Sequence, residues 1–100
     1  MMEKEIRDRV RIAASQMPFR DRVKRISLFG SHARGTAGGA SDVDLLIEFA
    51  SPIGYLGFMS INRYLENQLG LPVDLATPDS LSTYIRADIL SHAETLYEQR

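Results

Sequence analysis

The sequence contains two short motifs from which its fold and chemistry can be inferred: Gly30-Ser31-His32-Ala33-Arg34-Gly35 and, after six intervening residues, Asp42-Val43-Asp44. A glycine-serine turn that leads from a strand into a helix leaves backbone N–H groups without intrahelical partners, and such groups suit a phosphate chain. Gly30 allows close backbone approach or a positive φ, Ser31 adds a hydroxyl donor, and Arg34 adds a permanent positive charge. The first motif is therefore a candidate site for a polyphosphate.

The second motif begins an apolar segment, residues 42–47, that predicts a strand. The side-chain period of two places Asp42 and Asp44 on one face, while Val43, Leu45 and Ile47 face a core. Two neighbouring carboxylates repel each other, which raises the pKa of one of them unless a cation neutralises the pair. Paired Mg²⁺ ions do this in phosphoryl-transfer enzymes, so the pair indicates a metal site.

Gly-Ser, ten further residues and then Asp-x-Asp in a hydrophobic strand resemble the signature of the polymerase-β-like nucleotidyltransferase superfamily. Within it, the two motifs are most similar to the minimal nucleotidyltransferase (MNT) branch. The resemblance implies that Asp42 and Asp44 hold the metal ions and that Asp74, in residues 71–76, completes the site beside the attacking hydroxyl. It also implies that Gly30 and Ser31 hold the β and γ phosphates of the nucleotide.

Each motif also has an ordinary structural interpretation. A glycine-serine turn can simply connect two elements, an isolated Asp-x-Asp can lie at a solvated strand edge or cap a turn, and Asp74 could merely end a strand. Found together, in this order and spacing, they favour a single site.

Three further polar residues lie in or near the two motifs. His32 is predicted to be an exposed residue of the short helix, with contact to the nucleotide as the alternative. Arg34 could form an exposed ion pair, or it could contact phosphate or the carboxylates. Glu48 shares the strand face of the two aspartates but lies farther from the turn, and we interpret it as a solvated or paired charge.

Length and composition predict one folded domain, residues 1–100, with little room for a separate acceptor-binding domain. Apolar residues make up 44% and charged residues 25% of the chain, which is ordinary for a globular protein. Cysteine is absent, which excludes disulfides, thiolate catalysis and cysteine-based zinc sites.

The charge and the terminal sequence limit the partners that we expect. Residues 1–7 lack the apolar core of a signal peptide, and no run is long enough to span a bilayer, so we predict a cytoplasmic protein with no membrane partner. The net charge of −1 does not favour a protein that grips nucleic acid through its phosphates, and no direct nucleic-acid binding is expected.

Residue periodicity and turn signals predict the order of the elements. Helices are predicted over residues 6–17, from near Ser31, over residues 58–69 with Gly70 as the stop, and over residues 84–92. Strands are predicted over residues 24–29, 42–47 and 71–76, with a flexible loop at 36–41. Residues 94–97 could continue the last helix or form a fourth strand, and we favour the strand.

The short connection between the first two strands favours an antiparallel pair. The predicted fold class is therefore α/β (α+β), a small mixed β-sheet flanked by helices, and the resemblance identifies it with the nucleotidyltransferase fold. In this fold Asp42, Asp44 and Asp74 would lie on adjacent strands at one edge of a cleft, as an oxygen-ligand site suited to Mg²⁺ or Mn²⁺.

The resemblance implies nucleotidyl transfer, in which an acceptor hydroxyl attacks the α-phosphorus of ATP and pyrophosphate leaves. MNT proteins lack a substrate domain, and the resemblance implies that a partner protein supplies the acceptor. That partner is often a HEPN ribonuclease toxin, for which the MNT chain acts as antitoxin by transferring AMP to a toxin hydroxyl. Part of residues 55–59 could belong to the surface that such a partner covers, or it could pack in the core.

Two other functions stay open. The chain could transfer a nucleotide to a small molecule such as an aminoglycoside, or it could be a noncatalytic antitoxin that blocks its partner sterically. Intact carboxylates argue against the second alternative, because a pure binder gains nothing from keeping them.

Overall fold

The computed structural model describes residues 3–35 and 42–99. The helices are α1 (Glu3–Ala14), α2 (Gly30–Arg34), α3 (Gly54–Leu69) and α4 (Thr83–His92), with short 3₁₀ turns at Arg20–Arg22 and Pro78–Ser80. The strands are β1 (Val23–Phe29), β2 (Val43–Phe49), β3 (Val73–Ala76) and β4 (Glu94–Glu98).

The strands form one mixed sheet in the order β3-β2-β1-β4. β1 is antiparallel to both β2 and β4, whereas β2 and β3 are parallel because helix α3 carries the chain back between them. The predicted mixed sheet and the antiparallel first pair are confirmed. The tail is a strand, as favoured from the sequence, and it pairs with β1 at one edge of the sheet.

Helices α1 and α3 pack together and cover one face of the sheet. The alternation predicted for β2 is confirmed, since Val43, Leu45 and Ile47 are fully buried in the core. The helices contribute buried residues at helical spacing to the same core: Ile6, Val10, Ala13, Ile61, Leu65 and Leu69. Asp44 therefore projects from the opposite face of the sheet, the one that α1 and α3 leave open.

Several element ends differ from the predicted positions. Helix α1 ends at Ala14 rather than at Met17, because the amide of Gln16 turns back to the carbonyl of Ala13 at 3.1 Å and tightens the last turn. Met17 is nevertheless buried. Helix α3 begins at Gly54, before the predicted start, and Gly70 closes it with φ 70° as predicted. The loop predicted at residues 36–41 lies outside the described residues.

Across residues 3–35 and 42–99, no helix combines the length and the apolar character needed to cross a membrane.

Tyr64 ties the two core helices together, because its hydroxyl donates to the carbonyl of Ala13 at 2.8 Å. We expect Tyr64→Phe to lower the free energy of unfolding by about 1 kcal/mol, since the Ala13 carbonyl loses a partly buried partner. Urea unfolding followed by circular dichroism measures the change. Tyr84, which is 95% exposed, supplies the matched control, and Tyr84→Phe should leave stability unchanged. Equal midpoints for the two variants would contradict the assigned role of this hydrogen bond.

Candidate active site

Two carboxylates face each other across neighbouring strands on the open side of the sheet. Asp44 of β2 and Asp74 of β3 are register partners in the parallel pair, so their side chains leave the sheet in the same direction. Asp42 lies immediately before β2 and is exposed, as is Asp74, whereas Asp44 is half-buried. The structure thus brings together the three aspartates singled out from the sequence.

The electrostatics of the site centre on Asp44. Burial raises the pKa of Asp44, and the negative charges of Asp74 and Asp42 raise it further. A side-chain hydrogen bond with Asp74 acts in the same direction, since it requires a proton on one of the two carboxyls, while nearby His32 opposes the shift. The cluster therefore stores charge repulsion that a bound cation would relieve.

Gly30 packs directly against the carboxylate of Asp44. Its φ is +73°, and a Cβ at this position would overlap the Asp44 carboxylate oxygen and lie 2.9 Å from Cγ. Phe29, the preceding residue, pairs with Asp44 in the antiparallel sheet. Glycine is required here on two grounds, the backbone conformation and the close approach, and the turn is consequently in contact with the acidic cluster.

His32 is buried, with 3% of its surface exposed, so the prediction of an exposed helix residue is wrong. Its Nδ1 lies 3.3 Å from Oε2 of Glu3 on helix α1. Helix α2 has only five residues and packs against β1 and β2, which turns its middle residue toward α1. Nothing in the local sequence signals this burial, because the partner lies far away along the chain.

Two side chains of α3 hold the backbone next to Asp74, and neither was predicted from the sequence. Glu66 accepts a hydrogen bond from the amide of Val73 at 2.9 Å, and Asn62 donates to the carbonyl of the same residue at 3.2 Å. Their i, i+4 spacing places them on one side of the helix, which is the only signal that the sequence contains. Together they fix the start of β3 and hence the position of Asp74.

Ser31 and Arg34 lie in helix α2 beside Gly30, whereas Glu48 lies away from the site. Ser31 follows Gly30 in the first turn of α2. Arg34 is exposed and makes no ion pair within the described part of the chain, and it lines a cavity of about 420 Å³ beside Gly30. Glu48 forms an ion pair with Arg25 at 3.0 Å, which agrees with its interpretation as a paired charge away from the site.

The donor set fits a hard divalent cation. Asp42, Asp44 and Asp74 offer only carboxylate oxygens, which Mg²⁺ and Mn²⁺ prefer, and the raised pKa of Asp44 marks a place where positive charge is favourable. Among residues 3–35 and 42–99, no group of three or more His, Asp or Glu side chains is arranged so that it could hold a metal ion. An open carboxylate site of this kind is compatible with Mg²⁺, which is often bound by one or two carboxylates together with substrate phosphates.

A mixed sheet with paired carboxylates on its open face, in contact with a glycine turn, is the arrangement of an enzyme that transfers nucleotidyl groups. The chain belongs to the nucleotidyltransferase domain family, whose profile matches residues 10–96. The resemblance to this family inferred from the two motifs is thereby confirmed.

Known proteins support the same assignment. The protein adenylyltransferase MntA of Thermococcus cleftensis is 40% identical over 81 residues, covering 79% of this chain and 82% of that protein. A solved minimal nucleotidyltransferase superposes with a TM-score of 0.78 at 33% identity, covering 95% of this chain and 94% of the other. A tri-AMPylated Shewanella oneidensis HEPN toxin in complex with MNT antitoxin matches with a TM-score of 0.66 at 20% identity, covering 98% and 74%. The last likeness concerns the fold alone.

Proposed function

We propose that this nucleotidyltransferase transfers AMP from ATP to a hydroxyl group of a partner protein and serves in the cytoplasm as the antitoxin of a HEPN ribonuclease toxin. The observation that carries the proposal is the contact between the Gly30 turn and Asp44, with Asp74 as its register partner. Support for a protein acceptor comes from the relative named a protein adenylyltransferase. Support for the toxin partner comes from the fold match to an MNT antitoxin in complex with an AMPylated HEPN toxin.

In this proposal each residue of the site has a defined role. The amides of Gly30 and Ser31, together with the Ser31 hydroxyl, hold the β and γ phosphates, so that charge developing on the leaving pyrophosphate is stabilised. Asp74 orients the acceptor hydroxyl and takes its proton as the oxygen attacks the α-phosphorus in line.

Asp42 and Asp44, with Asp74 beside them, would hold Mg²⁺ or Mn²⁺. When bound, the cation lowers the pKa of the acceptor hydroxyl and neutralises charge on the triphosphate. His32 and Glu3 keep α2 attached to α1, and the packing of Gly30 against Asp44 keeps the turn beside the carboxylates.

A large exposed apolar surface would be needed for a protein partner, and residues 55–59 supply part of one. Tyr55 and Leu56 are 74% and 81% exposed at the start of α3. Gly57 is buried, and Phe58 packs partly against the core. Tyr55 and Leu56 are therefore free to contact a partner, whereas Gly57 and Phe58 pack in or against the core.

The proposal is tested by incubating the purified protein with Mg²⁺, radiolabelled ATP and the product of the adjacent gene. We expect label on that product when the isotope is in the α-phosphate and no label when it is in the γ-phosphate, because AMP is transferred and pyrophosphate leaves. The matched control is the double variant Asp42→Asn/Asp44→Asn, which should still bind the partner without labelling it.

Other outcomes of the same experiment would support the alternatives. Label on an added aminoglycoside, with none on the protein, would indicate transfer to a small molecule. Full neutralisation of the partner by the double variant would indicate a noncatalytic blocker, since that variant lacks the two carboxylates on which the chemistry depends.

A further inference from the structure

β3 is the shortest strand that the structure describes, and it lies at the edge of the sheet beside β2. The amide of Val43 in β2 donates to the carbonyl of Pro72 at 2.9 Å. Successive residues of a strand direct their N–H and C=O groups to opposite sides, so those of Val73 point away from β2, toward the edge that no described strand covers. These are the two groups that Asn62 and Glu66 bind.

The two side chains of α3 therefore take the place of a further strand at this residue. Glu66 supplies the acceptor and Asn62 the donor that a neighbouring backbone would supply to Val73. We propose that Asn62 and Glu66 are positioning residues for nucleotidyl transfer, because their hydrogen bonds hold β3 so that the Asp74 carboxyl stays opposite that of Asp44. The inference rests on the role proposed for Asp74.

A restraint on the outer side of β3 is needed because charge repulsion acts on its inner side. Asp74 and Asp44 are register partners, and the negative charge of Asp74 raises the pKa of Asp44. Before a cation binds, this repulsion favours movement of β3 away from β2 within the plane of the sheet. The buried side chains of Val73 and Leu75 anchor β3 to the core at right angles to that movement. Asp74 itself is exposed, so its carboxyl is restrained mainly through the backbone.

Glu66→Ala removes the acceptor, and we expect kcat to fall by roughly tenfold to a hundredfold, since a displacement of about 1 Å at a reacting centre has an effect of that size. The KM for ATP should change by less than about threefold, because the Gly30 turn lies on the other side of Asp44. Glu66→Gln keeps an oxygen that accepts from the Val73 amide and should retain kcat within about threefold. Asn62→Leu, which removes only the donor, should lower kcat in the same direction. AMP transfer to the product of the adjacent gene, at saturating Mg²⁺, measures all three variants.

Two controls on the same helix separate positioning from stability. Gln68→Ala shortens an exposed side chain two residues beyond Glu66 and should leave both kcat and stability unchanged. Tyr64→Phe removes the hydrogen bond to the carbonyl of Ala13 on α1. Position 64 is two residues from each member of the pair and hence on another side of the helix. This variant should therefore lose stability while keeping a normal kcat per folded molecule.

Hydrogen exchange provides a readout that does not depend on activity. The Val43 amide exchanges when its bond to Pro72 opens, so Glu66→Ala should speed its exchange by roughly tenfold relative to the amides of β1. Tyr64→Phe should speed exchange at Val43 and in β1 by the same factor, because it lowers the stability of the whole fold. Nuclear magnetic resonance on the metal-free protein measures these rates.

A normal kcat in Glu66→Ala, or an equal loss of kcat in Tyr64→Phe, would overturn the inference. So would a loss in Glu66→Gln as large as that in Glu66→Ala, since the effect would then come from the charge of Glu66 and not from its hydrogen bond. Exchange at Val43 that follows that of β1 in every variant would also overturn it. If the wild type transfers no AMP, the proposed function fails, whereas the exchange rates still decide whether Asn62 and Glu66 hold β3.

Discussion

Asp44→Asn is expected to abolish nucleotidyl transfer and at the same time to make the metal-free protein more stable to heat. Activity should fall by about a thousandfold or more, because several kcal/mol of transition-state stabilisation by the cation are lost. Stability should rise because the half-buried carboxylate lies beside Asp74 and Asp42, whose charges it repels. Differential scanning calorimetry in EDTA should show a melting temperature higher by a few degrees.

The stability difference between Asp44→Asn and the wild type should depend on pH, because the pKa of Asp44 is raised. A group whose pKa is higher in the folded state stabilises the fold at low pH, where it is protonated, and this contribution is lost as the pH rises through its folded pKa. Asparagine imitates the protonated form at every pH. The advantage of the variant should therefore be present near neutral pH and disappear as the pH falls to about 4, near the ordinary pKa of an aspartate.

Glu48→Gln is the matched control, because it removes a carboxylate from the same face of β2. Glu48 is paired with Arg25 at 3.0 Å, so its loss should leave activity intact and should not stabilise the protein. Mg²⁺ should raise the melting temperature of the wild type and not that of Asp44→Asn. A variant at position 44 that is active, or that melts below the wild type in EDTA, would contradict the role assigned to this carboxylate.

Gly30→Ala is expected to impair both stability and catalysis. The backbone at φ +73° disfavours any side chain by about 1–2 kcal/mol, and here the added methyl group would also overlap the carboxylate of Asp44. Relief of that overlap requires either the turn or Asp44 to move. Because a displacement of about 1 Å at a reacting centre can cost a hundredfold in rate, transfer should fall by at least that factor.

Gly70→Ala separates the cost of the backbone conformation from the effect of the contact with Asp44. Gly70 has φ +70° at the end of α3, and no described atom other than those of its own neighbours would lie within 4 Å of the new Cβ. It should therefore show the backbone penalty alone, with normal activity per folded molecule. Urea unfolding and steady-state transfer assays on both variants provide the comparison, and equal behaviour of the two would mean that the contact with Asp44 has no role.

The order and type of the elements could largely be predicted because their signals are local. Alternation in β2 placed Val43, Leu45 and Ile47 in the core, and Gly70 marked the end of α3. The end of α1 could not be predicted in the same way. Met17 continues the apolar spacing and is buried, yet the backbone has already left the helix after Ala14.

The same holds for the site: features that depend on neighbouring residues could be predicted, and contacts between distant parts of the chain could not. The aspartates and the glycine turn could be picked out because each motif is compact in sequence. The burial of His32 against Glu3, and the hydrogen bonds from Asn62 and Glu66 to Val73, join distant parts of the chain. The cavity that Arg34 lines has the same origin, since its two walls come from α2 and α4, in opposite halves of the sequence.

The chemical identity of the site follows from the amino-acid sequence: a glycine that tolerates positive φ, a hydroxyl beside it, and acidic residues in or next to apolar strands. These properties depend on covalent structure and local backbone preference. The placement of Asp44 opposite Asp74 and in contact with Gly30, by contrast, depends on the folded chain. The crossover through α3 sets the parallel register, and the packing of that helix against α1 is a property of the whole core.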